Sequence, residues 1–415
     1  MPGMQIARRS LSLTSAACAL ALAAAPASAA RPTPVDADAD SPRSAYHLSG
    51  WAVLPADTFV PGSEESGSFT GNPAAPFPGQ PVQGFSAVHA VGDGSYLVMS
   101  DNGFGAKTNS QDYQLRVHRI RPDLAGGQVE LLDGGFVLSD PDAHVDWDIW
   151  RADRVLTGWD FDIESMQIAT DGTFWFGDEF GPYLLHTDAQ GRLLEAPIPT
   201  PGVQAPQNAQ LVGEPNLPAS KGFEGMAISP NGQRLYPMLE GATAEDKAAG
   251  LGADLRIYDV RLHPAAGAAF TGEFVRYRLE STTHALGDAV AVNAHQLLII
   301  ERDSRQGAEA AFKRIYLVDL RDRDRDGYVD KQLLVDLMDV PNPALLGTGT
   351  DPFTFPYFTI EDVEILDADT IAVLNDNNYP ATGGRGAGVQ DVNEFLTIDL
   401  AEPLAVDHRL LPGMP

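Results

Sequence analysis

The feature that most constrains the fold is the segment at residues 160–182, with the sequence DFDIESMQIATDGTFWFGDEFGP. Apolar and polar residues alternate before Asp171 and Gly172, which supply a tight turn, and an aromatic run leads back. This pattern predicts a β-hairpin. If the turn has two residues, Glu164 lies directly opposite Glu179, about 5 Å away. Carboxylates at that distance repel each other unless a positive charge lies between them.

The hairpin pattern recurs in five degenerate copies, which begin near residues 86, 164, 224, 288 and 361. In three of them the same offset of 15 residues joins the two strand ends, from Ser86 to Asp101, Glu164 to Glu179, and Glu361 to Asp376. A period of this size is typical of a radially repeated all-β fold. We predict a β-propeller of antiparallel strands with six blades, the sixth shared by the termini, and with five or seven as the alternatives. The strand at 394–398 is expected to close the ring against the N-terminal strands.

The N-terminus reads as a signal peptide at residues 1–29. Arg8 and Arg9 form the basic region, residues 11–25 the apolar region, and residues 27–29 (ASA) the cleavage site. We expect an ordinary secretion leader rather than a twin-arginine one, and a periplasmic or secreted protein. Residues 30–44 form a Pro/Asp-rich linker, and residues 45–412 a single domain. The only cysteine, Cys18, lies in the leader, so the mature chain has no thiol chemistry.

Charge excludes several classes of partner. The formal net charge is −29, which becomes −31 without Arg8 and Arg9. Such a field repels nucleic acid and anionic lipid. It also repels a phosphorylated substrate unless bound cations reverse the local sign. No apolar run is long enough to span a membrane, and we expect a monomer that binds a small molecule.

Acidic side chains cluster at the ends of the predicted hairpins. Equivalent positions of successive propeller blades meet at one end of the central channel, so the acids of all copies are expected there. The predicted ligands are Asp101, Glu164, Asp178, Glu179, Glu224, Glu240, Glu301, Glu361 and Asp376, joined by Asn102, Asn375 and Asn377. Hard oxygen ligands in this number suit Ca²⁺. The alternative is that these acids cap strands, bind backbone amides or pair with Arg302 and Lys221.

A second metal motif lies at residues 322–330, with the sequence DRDRDGYVD. It matches the first nine positions of a calcium loop, with Asp322, Asp324, Asp326 and Asp330 as ligands. Position twelve is Leu333 rather than a bidentate Glu, and a predicted strand precedes the loop, so the motif is not an EF-hand. It predicts a structural Ca²⁺ site, and the alternative is a solvated Asp/Arg turn.

Five short motifs in order resemble the phytase-like family described as esterase-like activity of phytase. They are SDNGFG at 100–105, DEFGPY at 178–183, GFEGMA at 222–227, ERD at 301–303 and NDNN at 375–378. The resemblance covers residues 45–400. It implies a β-propeller, an extracytoplasmic bacterial setting and phosphoester hydrolysis, with Ca²⁺ by analogy with calcium-dependent propeller phytases. The first copy departs from the pattern, since Ser86 stands where others have Glu.

The predicted mechanism follows from the metal. Ca²⁺ would bridge phosphate oxygens and orient a water molecule, and Glu179 or Glu224 would be the general base. Arg302 and Lys221, with Arg385 as a weaker candidate, would stabilise transition-state charge. Motifs for a nucleophilic Ser or Cys, a P-loop or a zinc protease are absent. Two alternatives remain: a lactonase-like metal-dependent hydrolase, and a non-enzymatic binding propeller stabilised by Ca²⁺.

Overall fold

The computed structural model describes residues 45–263 and 267–411. The predicted signal peptide and linker, at residues 1–44, lie outside this range. Strands dominate the described chain, and its one α-helix is the short α1 (Ala244–Ala248), capped by Thr243. Within the described ranges, no helix has the length and apolar character needed to span a bilayer.

In the described ranges, twenty strands pair into five four-stranded antiparallel blades. The first strand in the chain is β1 (Tyr46–Leu54). Blade 1 follows it, with β2 (Phe85–Ala90), β3 (Tyr96–Ser100), β4 (Arg116–Asp123) and β5 (Gln128–Val137). Blade 2 contains β6 (Ile163–Ile168), β7 (Phe174–Asp178), β8 (Tyr183–Thr187) and β9 (Ile198–Pro199). Blade 3 contains β10 (Phe223–Ile228), β11 (Arg234–Leu239), β12 (Asp254–His263) and β13 (Gly267–Arg278).

The remaining strands form two further blades. Blade 4 contains β14 (His284–Ala291), β15 (Gln296–Asp303), β16 (Lys313–Asp319) and β17 (Asp330–Asp336). Blade 5 contains β18 (Asp362–Ile365), β19 (Thr370–Leu374) and β20 (Asn393–Leu400), with β1 as its fourth strand. The innermost strands β2, β6, β10, β14 and β18 each contact the next around the axis, and β18 contacts β2. The protein is therefore a closed β-propeller, as the sequence predicts.

Ring closure depends on both ends of the domain. Strand β1 pairs antiparallel with β20 from Tyr46 opposite Leu400 to Leu54 opposite Asn393. This confirms the predicted closure by the strand at 394–398. The expected sixth blade is wrong, because the terminal strands complete blade 5 instead of forming a sheet of their own. The blade count is five, one of the two stated alternatives.

Apolar side chains alternate between the two faces of each blade, because successive residues of a strand point to opposite faces. In β19, Ile371 and Val373 pack toward blade 4, whereas Ala372 and Leu374 pack toward blade 1. One buried cluster of this kind fills each of the five junctions between blades. The blades therefore present their hairpin ends at fixed positions around the channel.

Candidate functional site

β-Bulges at the start of the inner strands place polar side chains at the channel mouth. In blade 2, Ile163 lies opposite Asp178 and Ser165 lies opposite Gly177. Two steps along β6 therefore match one step along β7, and Glu164 is the extra residue of the bulge. The same shift occurs at Glu224 in blade 3 and at Ser86 in blade 1. Bulges re-aim a side chain out of the regular pleat. Their recurrence explains why one position of several blades reaches the same site.

The register of the central hairpin differs from the sequence expectation. The amide of Ala169 donates to the carbonyl of Thr173 at 2.8 Å, so the turn contains three residues rather than two. Gly172 takes φ +83° there, a conformation that glycine adopts without steric cost. Direct opposition of Glu164 and Glu179 is therefore wrong. Their carboxylate oxygens nevertheless come within 4.8 Å, because the bulge turns Glu164 toward the channel.

Eight carboxylates meet at this end of the channel, and we call them the acid ring. Its members are Asp101, Asp162, Glu164, Glu179, Glu224, Glu240, Glu361 and Asp376. Two overlapping trios hold oxygens within 4.8 Å of one another, namely Asp162, Glu164 and Glu179, and then Glu179, Glu224 and Glu240. Glu179 belongs to both. It is 4% exposed, and its Oε1 has no hydrogen-bond partner among the described residues.

Two cations neutralise one side of the acid ring. Arg302, 5% exposed at its side chain, donates Nη2 toward Glu361 (2.9 Å), Glu224 (3.1 Å) and Glu240 (3.3 Å). Lys221 forms an ion pair with Glu240, and its own side chain is 40% exposed. Among the described residues Asp162 has no cationic partner; it accepts Nδ2 of Asn102 at 2.7 Å and a hydrogen bond from the carboxyl of Glu164. The trio that contains Asp162 therefore has the larger uncompensated charge.

Burial and mutual repulsion shift the titration of the ring. Burial, followed by Glu240 and Asp162, raises the pKa of Glu179 well above its ordinary value. Burial, followed by Asp376, does the same to the pKa of Asp101. The pKa of Asp376 rises to about 8, through burial and then Glu361. Buried acids that repel one another bind protons more readily than exposed ones, unless a cation compensates their charge.

Glu301 is a correction to the predicted ring. It lies on β15 next to Arg302, and adjacent residues of a strand point to opposite faces. Its carboxylate instead binds His284 (2.9 Å), Tyr277 (2.8 Å) and Lys331 (3.0 Å) between blades 3 and 4. Blade 4 therefore contributes a cation to the channel mouth where blades 2 and 3 contribute Glu179 and Glu240.

Four other predicted site residues have structural partners. Asp178 accepts the amides of Asp162 (2.9 Å) and Gly181 (2.7 Å), and this fixes the turn that carries Glu179. Asn375 donates to the carbonyls of Asp376 and Val392 and accepts the amide of Glu394. Asn377 accepts the amide of Gly84 and donates to the carbonyl of Asp391. Arg385 forms a two-pronged ion pair with Glu394, at 2.7 and 2.6 Å. The structure thus assigns these four to loop support rather than to the ring.

Asp162 is the ring member that the sequence interpretation missed. It precedes the bulge at Glu164 by two residues, and its carbonyl accepts the amide of Glu179 at 2.8 Å. Burial raises the pKa of its carboxyl to about 6, against hydrogen bonds from Glu164 and Asn102 that lower it. The signal was present as the second of the three acids in DFDIE at 160–164. It escaped notice because no other repeat has an acid at this offset.

Of two cavities in the propeller, one borders the acid ring and the other does not. A cavity of about 340 Å³ is lined by Asp101 together with Gln83, Phe104 and Tyr379, so it borders the ring. A larger one, of about 780 Å³, is lined by hairpin turns such as those at Asp171 and Gly232. These turns lie at the strand ends remote from the acids, and no acid-ring residue lines this larger cavity. The smaller cavity is therefore the relevant one for chemistry at the ring.

The second predicted metal motif keeps part of its expected geometry. Oxygens of Asp322, Asp324 and Asp326 come within 4.8 Å of one another in an exposed loop. Both oxygens of Asp322 accept backbone amides of the loop, at 3.0 Å each. Asp330 turns aside to accept the amide of Arg323 at 3.2 Å. Three of the four predicted side chains are thus brought together.

Comparison with known proteins gives a family match and several distant structural matches. The model of the phytase-like family, esterase-like activity of phytase, matches residues 80–379. An uncharacterized secreted protein of Arthroderma benhamiae is 31% identical over 105 residues, which cover 20% of each chain. A structure described as a putative gluconolactonase is 13% identical, with 77% of this chain and 75% of that one covered at TM-score 0.35. The PQQ-bound aldose sugar dehydrogenase of Streptomyces coelicolor is 12% identical, with coverages of 84% and 97% and TM-score 0.36.

The residues that match the family model include the whole acid ring. The matched region begins before blade 1 and ends just after β19, so it contains all eight members of the acid ring, from Asp101 to Asp376. It spans well over half of the sequence. This protein therefore belongs to the phytase-like family, esterase-like activity of phytase.

Proposed function

We propose that this protein is a phosphoric-ester hydrolase whose reaction depends on a divalent cation, Ca²⁺ in the first instance, held at the acid ring. The observation that carries the proposal is the pair of buried carboxylate trios that share Glu179. Buried like charges are strongly unfavourable unless a cation or protons compensate them. The family description, an esterase-like activity of phytase, supports a hydrolase.

The donor set of the first trio fits such a cation. Asp162, Glu164 and Glu179 offer hard oxygens, which Ca²⁺ prefers, within 4.8 Å of one another. The free Oε1 of Glu179 adds a ligand that no other described residue uses. The second trio is a poorer fit, because Arg302 and Lys221 already compensate Glu224 and Glu240. We therefore assign the cation to the side of the ring that contains Asp162.

The division of the ring suggests separate roles for its residues. A bound Ca²⁺ would supply positive charge for phosphate oxygens and a more acidic water. Lys221, 40% exposed at its side chain, can reach a phosphate oxygen from solvent. Arg302 holds Glu224, Glu240 and Glu361 in place and is itself buried by them. Glu224 would accept the proton of the attacking water, and Arg302, at 3.1 Å, favours the ionised form that this role requires.

Export is part of the proposal. The sequence of residues 1–29 has the three regions of a signal peptide, and a partial relative is described as secreted. Millimolar Ca²⁺ is available outside cells, so low-affinity sites would be filled there. We propose that the protein acts in the periplasm or the medium, as a monomer.

Release of phosphate from glycerol phosphate, and of p-nitrophenol from the nitrophenyl esters, tests the proposed activity. We expect hydrolysis of glycerol phosphate, bis(p-nitrophenyl) phosphate or p-nitrophenyl phosphate in millimolar Ca²⁺, and loss of that hydrolysis in chelator with recovery on adding Ca²⁺ back. A panel of lactones in the same buffers tests the lactonase alternative. Hydrolysis of lactones without hydrolysis of any of these phosphoesters would contradict the proposal. Binding without any turnover would favour a binding propeller instead.

We propose a second, structural Ca²⁺ at Asp322, Asp324 and Asp326. A ligand present at 100 times its dissociation constant stabilises the fold by about 2.7 kcal/mol. The melting temperature of the wild type should therefore rise in millimolar Ca²⁺ more than that of Asp324→Ala, and the two should converge in chelator. The measurement is thermal unfolding with and without Ca²⁺, and Asp322→Asn serves as a milder variant. An equal rise in both proteins would rule this site out.

A further inference from the structure

The cavity that borders Asp101 lies beside the proposed cation position. Its walls come from the segment after β1, the residues before β2, the loop after β3 and the segment after β19. Asn102, which follows Asp101 in the chain, donates Nδ2 to Asp162 at 2.7 Å, so the cavity lies next to the Asp162 side of the ring. A phosphate ester bound at that side would have this cavity beside it for its alcohol part.

The lining of the Asp101 cavity is polar but almost uncharged. Asn72, Gln83, Asn109 and Asn378 contribute amides, and Phe104 and Tyr379 contribute aromatic surface. Gln83 and Asn109 are bonded within the protein through both their amide groups. Oδ1 of Asn72 accepts the amide of Ala74 and Nδ2 of Asn378 donates to Thr359, which leaves Nδ2 of Asn72 and Oδ1 of Asn378 for a ligand. Gln83 donates to Oδ1 of Asp101 at 3.2 Å, and the amide of Gly103 binds the same oxygen at 2.7 Å. Nδ2 of Asn72 and Oδ1 of Asn378 match alcohol groups, each of which both accepts and donates.

The cavity has no means of holding a second anion. Lys, Arg and His are absent from the described residues that line it. Its one ionisable acid is Asp101, whose neighbours Asp376 and Asp162 are also acidic. A phosphate group is held best by Arg, Lys or converging backbone N–H groups, and placing like charges together is strongly unfavourable. The volume of about 340 Å³ is in the range that accommodates a small organic ring.

We propose that the Asp101 cavity binds the alcohol part of the substrate as an uncharged, hydroxyl-bearing group of the sugar or polyol class. This inference rests on the proposed phosphoesterase function and makes it more specific. The preferred substrate carries a single phosphate, which binds at the ring, and neutral hydroxyl groups elsewhere. Esters with several phosphates are poor substrates, because the cavity would have to take an anion beside Asp101.

A matched pair of substrates tests this specificity. Glucose 1-phosphate and glucose 1,6-bisphosphate differ by one phosphate, and we expect kcat/KM to favour the first by about tenfold or more. Asn72→Lys adds a positive charge at the half-buried lip and should reduce that preference about fivefold, whereas Asn72→Asp should increase it. Gln190→Lys, which carries the same charge change in an exposed turn outside the cavity, should leave the ratio unchanged.

Binding of a neutral probe separates this proposal from the proposed activity. Methyl α-glucoside should show saturation transfer from the wild-type protein in ligand-detected NMR, and Ala381→Trp, whose indole fills the cavity, should abolish it. Transfer without hydrolysis of any phosphoester would overturn the activity and leave the cavity assignment standing. Absence of transfer, equal transfer in both proteins, or equal hydrolysis of the two glucose phosphates would overturn the cavity assignment.

Discussion

Replacing Arg302 by methionine should destabilise the fold by about 3 to 5 kcal/mol near pH 8, because it leaves buried carboxylates without their cation. Three ring acids, Glu224, Glu240 and Glu361, lose a partner within 3.3 Å. Methionine has a similar volume and no charge, so packing changes little. Urea unfolding in chelator measures the effect without contributions from bound metal.

The loss of folding stability in Arg302→Met should grow as the pH rises. Burial raises the pKa values of Glu224 and Glu361 in the folded protein above their unfolded values. Such a group stabilises the fold below its unfolded pKa, and this contribution is lost as the pH rises through the folded pKa. The deficit of Arg302→Met should therefore be small near pH 5 and grow toward pH 8. Adding Glu361→Gln should recover part of the lost stability.

An exposed ion pair provides the control for Arg302. Arg192 pairs with Asp142, and both side chains are more than half exposed, at 52% and 63%. Pairs of this kind are screened by water and salt, so Arg192→Met should barely move the urea midpoint at either pH. If Arg302→Met behaved like this control, or if its loss of stability were the same at pH 5 and pH 8, Arg302 would not compensate the charge of the ring carboxylates.

The Glu179→Gln variant should have the largest effect on function. The amide keeps the size of the side chain but removes the carboxylate that both trios share. Calcium affinity should fall by at least about 10- to 100-fold, because losing a group that merely supports a metal ligand already costs that much. The kcat for phosphoesters should fall with it. In chelator the urea midpoint should hold or rise, because one buried like charge has gone.

Isothermal titration with Ca²⁺ and the phosphoesterase assay decide this prediction side by side. Glu130→Gln makes the same chemical change on exposed strand β5 and should leave metal affinity and turnover as in the wild type. Weaker binding with unchanged turnover would mean that the metal is structural. Unchanged affinity together with unchanged turnover would show that the ring acids only cap strands and bind backbone amides.

The sequence predicts the architecture better than it predicts individual contacts. The repeated hairpins determine the propeller, since each blade buries its own alternating residues against its neighbours. The blade count does not follow from them, because five visible copies fit both a ring of five and a ring of six with a blade shared by the termini. That choice depends on whether β1 pairs with β20 as the fourth strand of blade 5, which is a contact between the two ends of the domain.

Errors at the site have a similar origin. The offset of 15 residues correctly groups Glu164 with Glu179 and Glu361 with Asp376. It does not indicate a bulge or a turn that is one residue longer. A one-residue change of register moves a side chain to the other face of the sheet. This is why the motif ERD at 301–303 suggested Glu301 when the neighbouring Arg302 faces the ring. Asp162, which no repeat predicts, becomes visible only when the inner strands are placed side by side.

The pairing of β1 with β20 also affects how the chain reaches its native state. Residue 46 must find residue 400, so the last junction closes only after every other blade has been synthesised. Contacts between such distant residues carry a large loop-closure entropy and slow folding. Until β20 has been made, β1 lacks its antiparallel partner and presents an unpaired edge on which other chains can add. If the protein is exported N-terminus first, as we propose, it delivers its closing strand earliest and uses it last.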